Sequence, residues 1–514
     1  MSKTIIIIGA GLAGLSAALQ AAENGCNVKL VSSLPSERAQ SVMAEGGINA
    51  ALNTKDENDS PEEHFTDTIK AACGLADPNA VWGMTQAAPE LVHWLLKLGV
   101  KFNMSGYDDV DLRNFGGQKK KRTAFAQSDT GKQIMTAMID AVRRKEASGM
   151  VERFSHHSFL TLRLCDNICC GCVIRDEYSQ ETVELPGDAV IVATGGMHGL
   201  FGNTTGSLSN TGEVTAELFR LGVPLVNGEM IQYHPTTVEC GGKRMLISEA
   251  ARGEGGRLFA LRNNQPWYFM EEKYPELGNL MPRDITAREI WKVSHESEVF
   301  LDMTEISEEI ISNKLSGLAD DCMTYLHKDI RKEPVSVLPG IHYFMGGILV
   351  DEQHRTPVQN LYAAGECCAQ YHGANRLGGN SLLGALYGGR VAAKSACEQA
   401  DVVDLSCATQ IDFPPASQIS EIKQLNKVMQ ETMGVVRNEN TLLNGIQTVQ
   451  ALTGNLPLLG MAVLKSALAR KESRGAHWRE DYPKSNDDDY LKTTVARFDG
   501  KQIQISFVPV PERR

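Results

Sequence analysis

Ile5-Ile6-Ile7-Ile8-Gly9-Ala10-Gly11-Leu12-Ala13-Gly14 opens the chain as a strand, a glycine turn and the start of a helix. Glycines at this spacing let a backbone approach a pyrophosphate, and the following helix aims its first N–H groups at it. Leu12, Leu15, Ala18 and Leu19 form one apolar stripe, and Gly25 is a natural helix stop. A second apolar stretch, residues 28–31, completes a βαβ-like start and predicts a nucleotide-binding α/β fold. That strand ends in Ser32-Ser33, where a free NAD site commonly carries an acidic residue for the ribose. A serine hydroxyl can still bond a ribose. Ala44-Glu45-Gly46-Gly47 is a second glycine-rich stretch. It reads either as a tight turn or as a close approach to a cofactor with a large planar ring.

The 514 residues suffice for two to four domains and a large core. A net charge of −12 argues against non-specific nucleic-acid binding and against a strongly basic membrane-docking face. The one basic run, Lys119-Lys120-Lys121-Arg122, reads as a solvated surface turn. The first residues do not resemble an export signal, and no apolar stretch reaches the ~18 residues of a membrane span. Twelve cysteines then point to reduced thiols and a cytoplasmic location. Cys165, Cys169, Cys170 and Cys172 fit no standard zinc spacing and fall in a strand-like stretch, so no metal site is expected there.

Further along, residues 53–63 read as a polar surface loop containing Pro61, and residues 64–148 as largely helical. Residues 151–194 alternate like strands and end in the apolar run Ala189-Val190-Ile191-Val192-Ala193-Thr194-Gly195. Residues 228–342 change character and read as an inserted domain. From 343 to 400 the nucleotide-site character returns, with a strand ending at Glu366 and a helix starting near Ser381 and Leu382. Residues 416–514 begin with helical periodicity, with Ile419, Ile422, Leu425 and Met429 at three- and four-residue steps, and end in a tail with strand-like residues.

Ordered motifs then line up over nearly the whole chain. They include Gly9 to Gly14, Ala44 to Gly47, Phe115-Gly116-Gly117, Ala193 to Gly196 and Gln232-Tyr233-His234-Pro235-Thr236. They continue through Glu249-Ala250-Ala251-Arg252-Gly253-Glu254-Gly255, Pro282-Arg283-Asp284, His342-Tyr343-Phe344-Met345-Gly346-Gly347 and Gly365-Glu366. The series ends with His372-Gly373-Ala374-Asn375-Arg376-Leu377 and Ser473-Arg474-Gly475-Ala476-His477. Together they resemble the flavoprotein subunit of succinate dehydrogenase and fumarate reductase, a family that includes L-aspartate oxidase. The resemblance implies an α/β, split Rossmann-like FAD-binding domain (1–227 and 343–400), an inserted α+β capping domain (228–342) and a C-terminal helical domain (416–514). It implies hydride transfer between flavin N5 and a C4-dicarboxylate, with electrons exchanged through a separate iron–sulfur subunit. Contact with a membrane would then be peripheral, through partners.

Carried over residue by residue, the resemblance implies FAD contacts at Gly9, Ala10, Gly11, Leu12, Ala13, Gly14, Ser32, Ser33, Gln40, Ser41, Ala44, Glu45, Gly46 and Gly47. It implies others at Ala193, Thr194, Gly195, Glu213, Glu366, Arg376, Ser381 and Leu382. The substrate would meet Gly47, Phe115, His234, Ser248, His342 and Arg376. The chemistry of the side chains agrees: Arg376 offers a bidentate fork, the two histidines can each donate to a carboxylate oxygen, and Ser248 keeps the hydroxyl of the family's usual threonine. Arg283 matches the family's proton donor, while Glu249 and Arg252, at i and i+3, match its proton relay on one helical face.

Two departures matter. Respiratory members attach FAD through a histidine in a Ser-His-Thr segment, and here Gln40 stands at that position, in Ala39-Gln40-Ser41. Glutamine cannot form that bond, so FAD is expected to be non-covalent. L-aspartate oxidase resembles this chain but pairs its substrate's ammonium with an acidic residue in an Arg-Glu-Gly-Gly segment. Here Arg113-Asn114-Phe115-Gly116-Gly117 puts an apolar ring there, which favours a bare diacid. The alternatives are L-aspartate oxidase itself or a stand-alone flavin-dependent dicarboxylate reductase.

Overall fold

A computed structural model describes residues 2–106, 109–401, 413 and 418–514. The isoleucines of β1 (Thr4–Ile8) are at most 3% exposed, as a parallel strand covered on both faces requires. β1 pairs in parallel with β2 (Asn27–Ser32) and with β4 (Ala189–Val192); β3 (Val151–Ser155) and β5 (Leu361–Ala363) complete the order β5-β4-β1-β2-β3. Alternation along β1 sends Ile5 and Ile7 to one core and Ile6 and Ile8 to another.

On the first face α1 (Leu12–Glu23) lies against α2 (Asn380–Gln399). Small residues let them approach: a Cβ on Gly389 would fall 2.3 Å from the Ala13 carbonyl oxygen, and Ser16 Oγ donates to Leu386 O at 2.6 Å. The other face is covered by an antiparallel sheet of His157–Cys165, Ile168–Asp176 and Thr182–Pro186. Cys169 and Cys172 lie in that strand with their side chains in the core, next to Ile6 and Val190. Cys165 is disulfide-bonded, which departs from the expectation of thiols throughout; the other ten described cysteines are free.

The inserted region carries its own core around Leu258, Phe269, Ile290 and Leu301. Its strands form a three-stranded sheet, with Ile231–Cys240 between Lys243–Leu246 and Leu338–Phe344, and a four-stranded sheet. Helices Ile419–Thr432, Glu439–Val449 and Asn455–Ala469 pack a third core through Leu425, Leu442 and Leu459. The expected boundary at residue 416 lies outside the described residues. The tail folds as a hairpin, Lys492–Phe498 with Ile503–Pro509, and joins a sheet with Leu225–Val226, Gly347–Leu349 and Cys368–Ala369.

Two local expectations are overturned. Pro61 is not in a loop but opens helix Pro61–Ala71, where its missing N–H costs nothing and Ser60 Oγ caps Glu63 N–H. The basic run is not one solvated turn either. Arg122 is fully buried, pairing with Asp59 and Asp67 at 2.9 Å each, while the side chain of Lys121 is half-exposed. A guanidinium with two buried carboxylates satisfies its fork; a lysine has no comparable geometry.

Candidate active site

A cavity of about 1010 Å³ runs from the C-terminal ends of β1, β2, β4 and β5 to the inserted region. That is the top of the usual range for ligand pockets, ~300–1,000 Å³. Its nucleotide end is shaped by backbone. Gly9 has φ +111°, and a Cβ there would lie 2.3 Å from the Ala193 carbonyl oxygen. Gly11 meets nothing closer than 3.6 Å and borders open space at the start of α1. This is a cradle a diphosphate fits. Ser32 and Ser33 line it at the end of β2, and Ser41 Oγ accepts from Leu12 N–H at 3.2 Å.

The structure gathers nearly all the expected residues on this one cavity, drawn from positions 9–13, 32–47, 115, 193–195, 213, 234, 248–249, 283, 342, 366, 376 and 381–382. Gly14 and Arg252 are the two that do not line it. Gly14 packs inward, where a Cβ would fall 1.8 Å from the Gly9 carbonyl oxygen. Arg252 lies behind Glu249, buried, with Nη1 donating to Asn279 O at 2.6 Å.

At the far end, Ser248 Oγ caps the short helix Glu249–Gly253, and Pro282 precedes helix Arg283–Ser294. These helix starts bring Glu249 and Arg283 together. Glu249 Oε2 accepts from Arg283 Nε at 2.8 Å and from Nη2 at 2.5 Å. Its Oε1 accepts from Gly116 N–H at 3.1 Å and lies 3.4 Å from Arg252 Nη2. Arg283 Nη1 donates to Gln232 Oε1 at 3.2 Å, and Gln232 Nε2 donates to the Arg376 carbonyl at 2.8 Å. One glutamine thus links the two arginines, and the Arg376 guanidinium sits 4.4 Å from the Tyr343 ring centre. The His234 and His342 rings stand 5.2 Å apart. His342 Nδ1 bonds Thr205 Oγ1 at 2.8 Å, and Thr236 N–H donates to His234 Nδ1 at 3.3 Å. His234 Nε2 and Arg376 Nε are buried without a partner among the described residues.

Electrostatics follow from this crowding. Burial, then the Arg283 charge, holds His234 and His342 well below the ordinary imidazole range, so both rings are neutral and each has one N–H to donate. Burial, then Arg283, pushes Arg376 down to about 9. Burial raises the Glu249 carboxyl, but Arg283 and Arg252 outweigh it and leave it below the ordinary carboxylate value. Arg283 and Arg252 crowd Glu249, and Arg376 adds a third buried guanidinium to a wall that a dianion would complete. Gln232, Thr205 and Tyr343 were not singled out from the sequence. Gln232 and Tyr343 lie inside motifs that carry the resemblance, whereas Thr205 is 137 residues from the histidine it holds.

A family model described as FAD binding domain matches residues 4–382, and one described as Fumarate reductase flavoprotein C-term matches residues 452–513. The succinate dehydrogenase flavoprotein subunit of Bacillus subtilis is 37% identical, covering 100% of this chain and 98% of its own length. The chain belongs to the succinate dehydrogenase and fumarate reductase flavoprotein family. The 8-methylmenaquinol:fumarate reductase flavoprotein subunit of Wolinella succinogenes is 32% identical over 100% of this chain and 92% of its own. A solved E. coli quinol fumarate reductase chain superposes with a TM-score of 0.88 at 27% identity, covering 99% of this chain and 97% of that one. As a member of this flavoprotein family the chain is an FAD-binding oxidoreductase with the α/β fold read from its first strands. Among the described residues, no helix is long and apolar enough to cross a membrane.

Proposed function

We propose that this chain is the catalytic flavoprotein subunit of a fumarate reductase or succinate dehydrogenase, interconverting fumarate and succinate. The observation that carries the reading is the convergence of Arg376, His234, His342 and the Arg283–Glu249 pair on one buried wall of the cavity. A four-carbon diacid has a carboxylate at each end, and the guanidinium fork and two neutral imidazoles supply donors for both. Holding those carboxylates fixes the olefin and polarises it. Phe115 gives the carbon skeleton an apolar neighbour and offers no partner to an ammonium group.

When bound, the flavin would supply a hydride to fumarate from its reduced form, or accept one from succinate in its oxidised form. Arg283 holds the proton for the adjacent carbon on a guanidinium nitrogen. A guanidinium is a weak acid, so it serves only if the proton is replaced quickly. Glu249 Oε2, hydrogen-bonded to two Arg283 nitrogens, is placed to return it, and Arg252 behind Glu249 continues the relay. All three relay residues, Arg283, Glu249 and Arg252, are buried.

FAD is held without a covalent bond. Gln40 lines the cavity where respiratory relatives place a histidine, and its Oε1 accepts from Ser207 N–H at 2.5 Å. A separate iron–sulfur subunit exchanges electrons with it; relatives named as subunits support this. The test is to assay purified holoprotein for fumarate-dependent oxidation of a reduced viologen dye and for peroxide release from L-aspartate. Fumarate turnover without aspartate oxidation is expected. Peroxide from aspartate with no fumarate turnover would replace this reading with L-aspartate oxidase.

A further inference from the structure

Asn49 is fully buried in the short strand Ile48–Asn49, directly after Gly46-Gly47. Its Nδ2 donates to Gly378 O and to Asn380 Oδ1, both at 2.7 Å. Its Oδ1 accepts from Gln118 Nε2 at 3.0 Å and from Thr123 Oγ1 at 2.6 Å. A primary amide has two donor hydrogens and room for two acceptor bonds, so this one is saturated. Its backbone N–H also donates to Gly379 O at 3.1 Å. Gly379 has φ +84°, and a Cβ there would sit 2.1 Å from Asn49 Oδ1. The Gly378-Gly379 turn is therefore moulded on the asparagine side chain.

The turn joins two functional points. Arg376 lies two residues before it, and α2 begins just after it, with Ser381 and Leu382 lining the cavity. Gln118 donates a second bond to Gly378 O at 2.9 Å and follows the segment of Phe115, Gly116 and Gly117. Asn380 carries the network outward, to His64 Nε2 at 2.9 Å and Thr68 Oγ1 at 3.0 Å. Arg376 makes no ion pair among the described residues; a ring face and its own backbone hold it. The position of its fork thus depends on where the turn puts its backbone.

We infer that Asn49 is a positioning residue for substrate binding: by fixing the Gly378-Gly379 turn it sets the Arg376 guanidinium against one substrate carboxylate. The inference rests on the reading of Arg376 as a carboxylate grip. Asn49→Ser removes the amide and its four bonds while keeping a small polar group. Thr123→Val is the gentler variant, near-isosteric, removing one donor to Asn49 Oδ1.

The holoenzyme is assayed for fumarate KM and kcat. Binding of malonate, a diacid with no olefin to reduce, is read from the flavin spectrum. Asn49→Ser should raise KM and the malonate Kd together by about tenfold, the loss of one charge-assisted hydrogen bond, with kcat changed less. Thr123→Val should move both in the same direction by a smaller factor. In an Arg376→Lys background Asn49→Ser should add less than about threefold, because coupled residues are non-additive. The inference is overturned if Thr123→Val and any folded Asn49→Ser protein leave KM and Kd unchanged, or if the effect multiplies in full with Arg376→Lys. If Arg376→Lys alone leaves both constants unchanged, the carboxylate-grip reading falls instead.

Discussion

Replacing Arg283 with alanine removes three things at once: the acid, a cation beside the developing carbanion, and the main partner of Glu249. A positioned general acid is worth about 10²–10⁴ in rate, so kcat should fall by at least about 10³ once the lost charge is added. KM should move by less than about threefold, because both carboxylates keep Arg376, His234 and His342. The stability cost can be bounded from the geometry. Breaking a buried ion pair costs ~3–5 kcal/mol when nothing else compensates. Here Glu249 keeps Gly116 N–H at 3.1 Å and Arg252 at 3.4 Å, so a loss of about 2–3 kcal/mol is expected. Flavin content should be unchanged, since none of the nucleotide cradle is touched. Arg283→Lys keeps the charge but loses the fork on Glu249 and cannot match both the Glu249 and Gln232 geometries. It should lose about 10² in kcat. Viologen-coupled fumarate reduction measures the rates, and added guanidinium ion should restore part of the activity of the alanine variant. A flavin-loaded Arg283→Ala protein retaining kcat within about tenfold of the parent would remove Arg283 from its role as acid.

Acid precipitation of the holoprotein should release all the yellow colour to the supernatant, because Gln40 offers no bonding nitrogen of the histidyl kind; flavin kept in the pellet would refute this. Glu45 titrates in a different window from ordinary carboxylates: burial, then the Asp321 charge, raises it from 4.5 to about 8. The folded flavin-free protein therefore favours the protonated form, and stability from this group is full below pH 4.5 and is lost as pH rises to about 8. At 1.36 kcal/mol per unit the loss is at most about 4–5 kcal/mol. Glu45→Gln should flatten that slope, so its advantage in denaturant midpoint over the parent should grow between pH 4.5 and 8; a constant difference would contradict the assignment. Phe115→Glu should lower kcat/KM for fumarate by about tenfold or more and allow L-aspartate to perturb the flavin spectrum, since a carboxyl then faces the diacid. Unchanged fumarate kinetics would show that Phe115 does not border the substrate.

The first strand and its glycines were legible because local rules fix them. Four consecutive isoleucines suit a strand buried on both faces, as in a parallel sheet, and the Gly9 turn tolerates no Cβ against Ala193. The helix that starts at Ile419 was legible from periodicity alone. Other features depend on partners far along the chain and carry no local signature. Arg122 looks like the end of a surface run until Asp59 and Asp67 fold beside it. The final hairpin becomes part of a sheet only through Leu225–Val226. At the site, motif residues such as Arg283 and His342 could be named in advance, but the side chains that hold them could not. Thr205 and Asn49 act through bonds to residues 137 and 329 positions away. Pairings at that distance are set by the assembled fold.

The most direct measurement is a crystal structure of the holoprotein grown with FAD and fumarate. The expected result is a diacid lying against the flavin ring, its two carboxylates contacted by Arg376, His234, His342 and Ser248, with an Arg283 nitrogen beside an olefinic carbon and Glu249 still bonded behind it. A diacid bound elsewhere, or Arg283 and Arg376 on separate walls with the guanidinium of Arg283 turned away from the olefin, would contradict it.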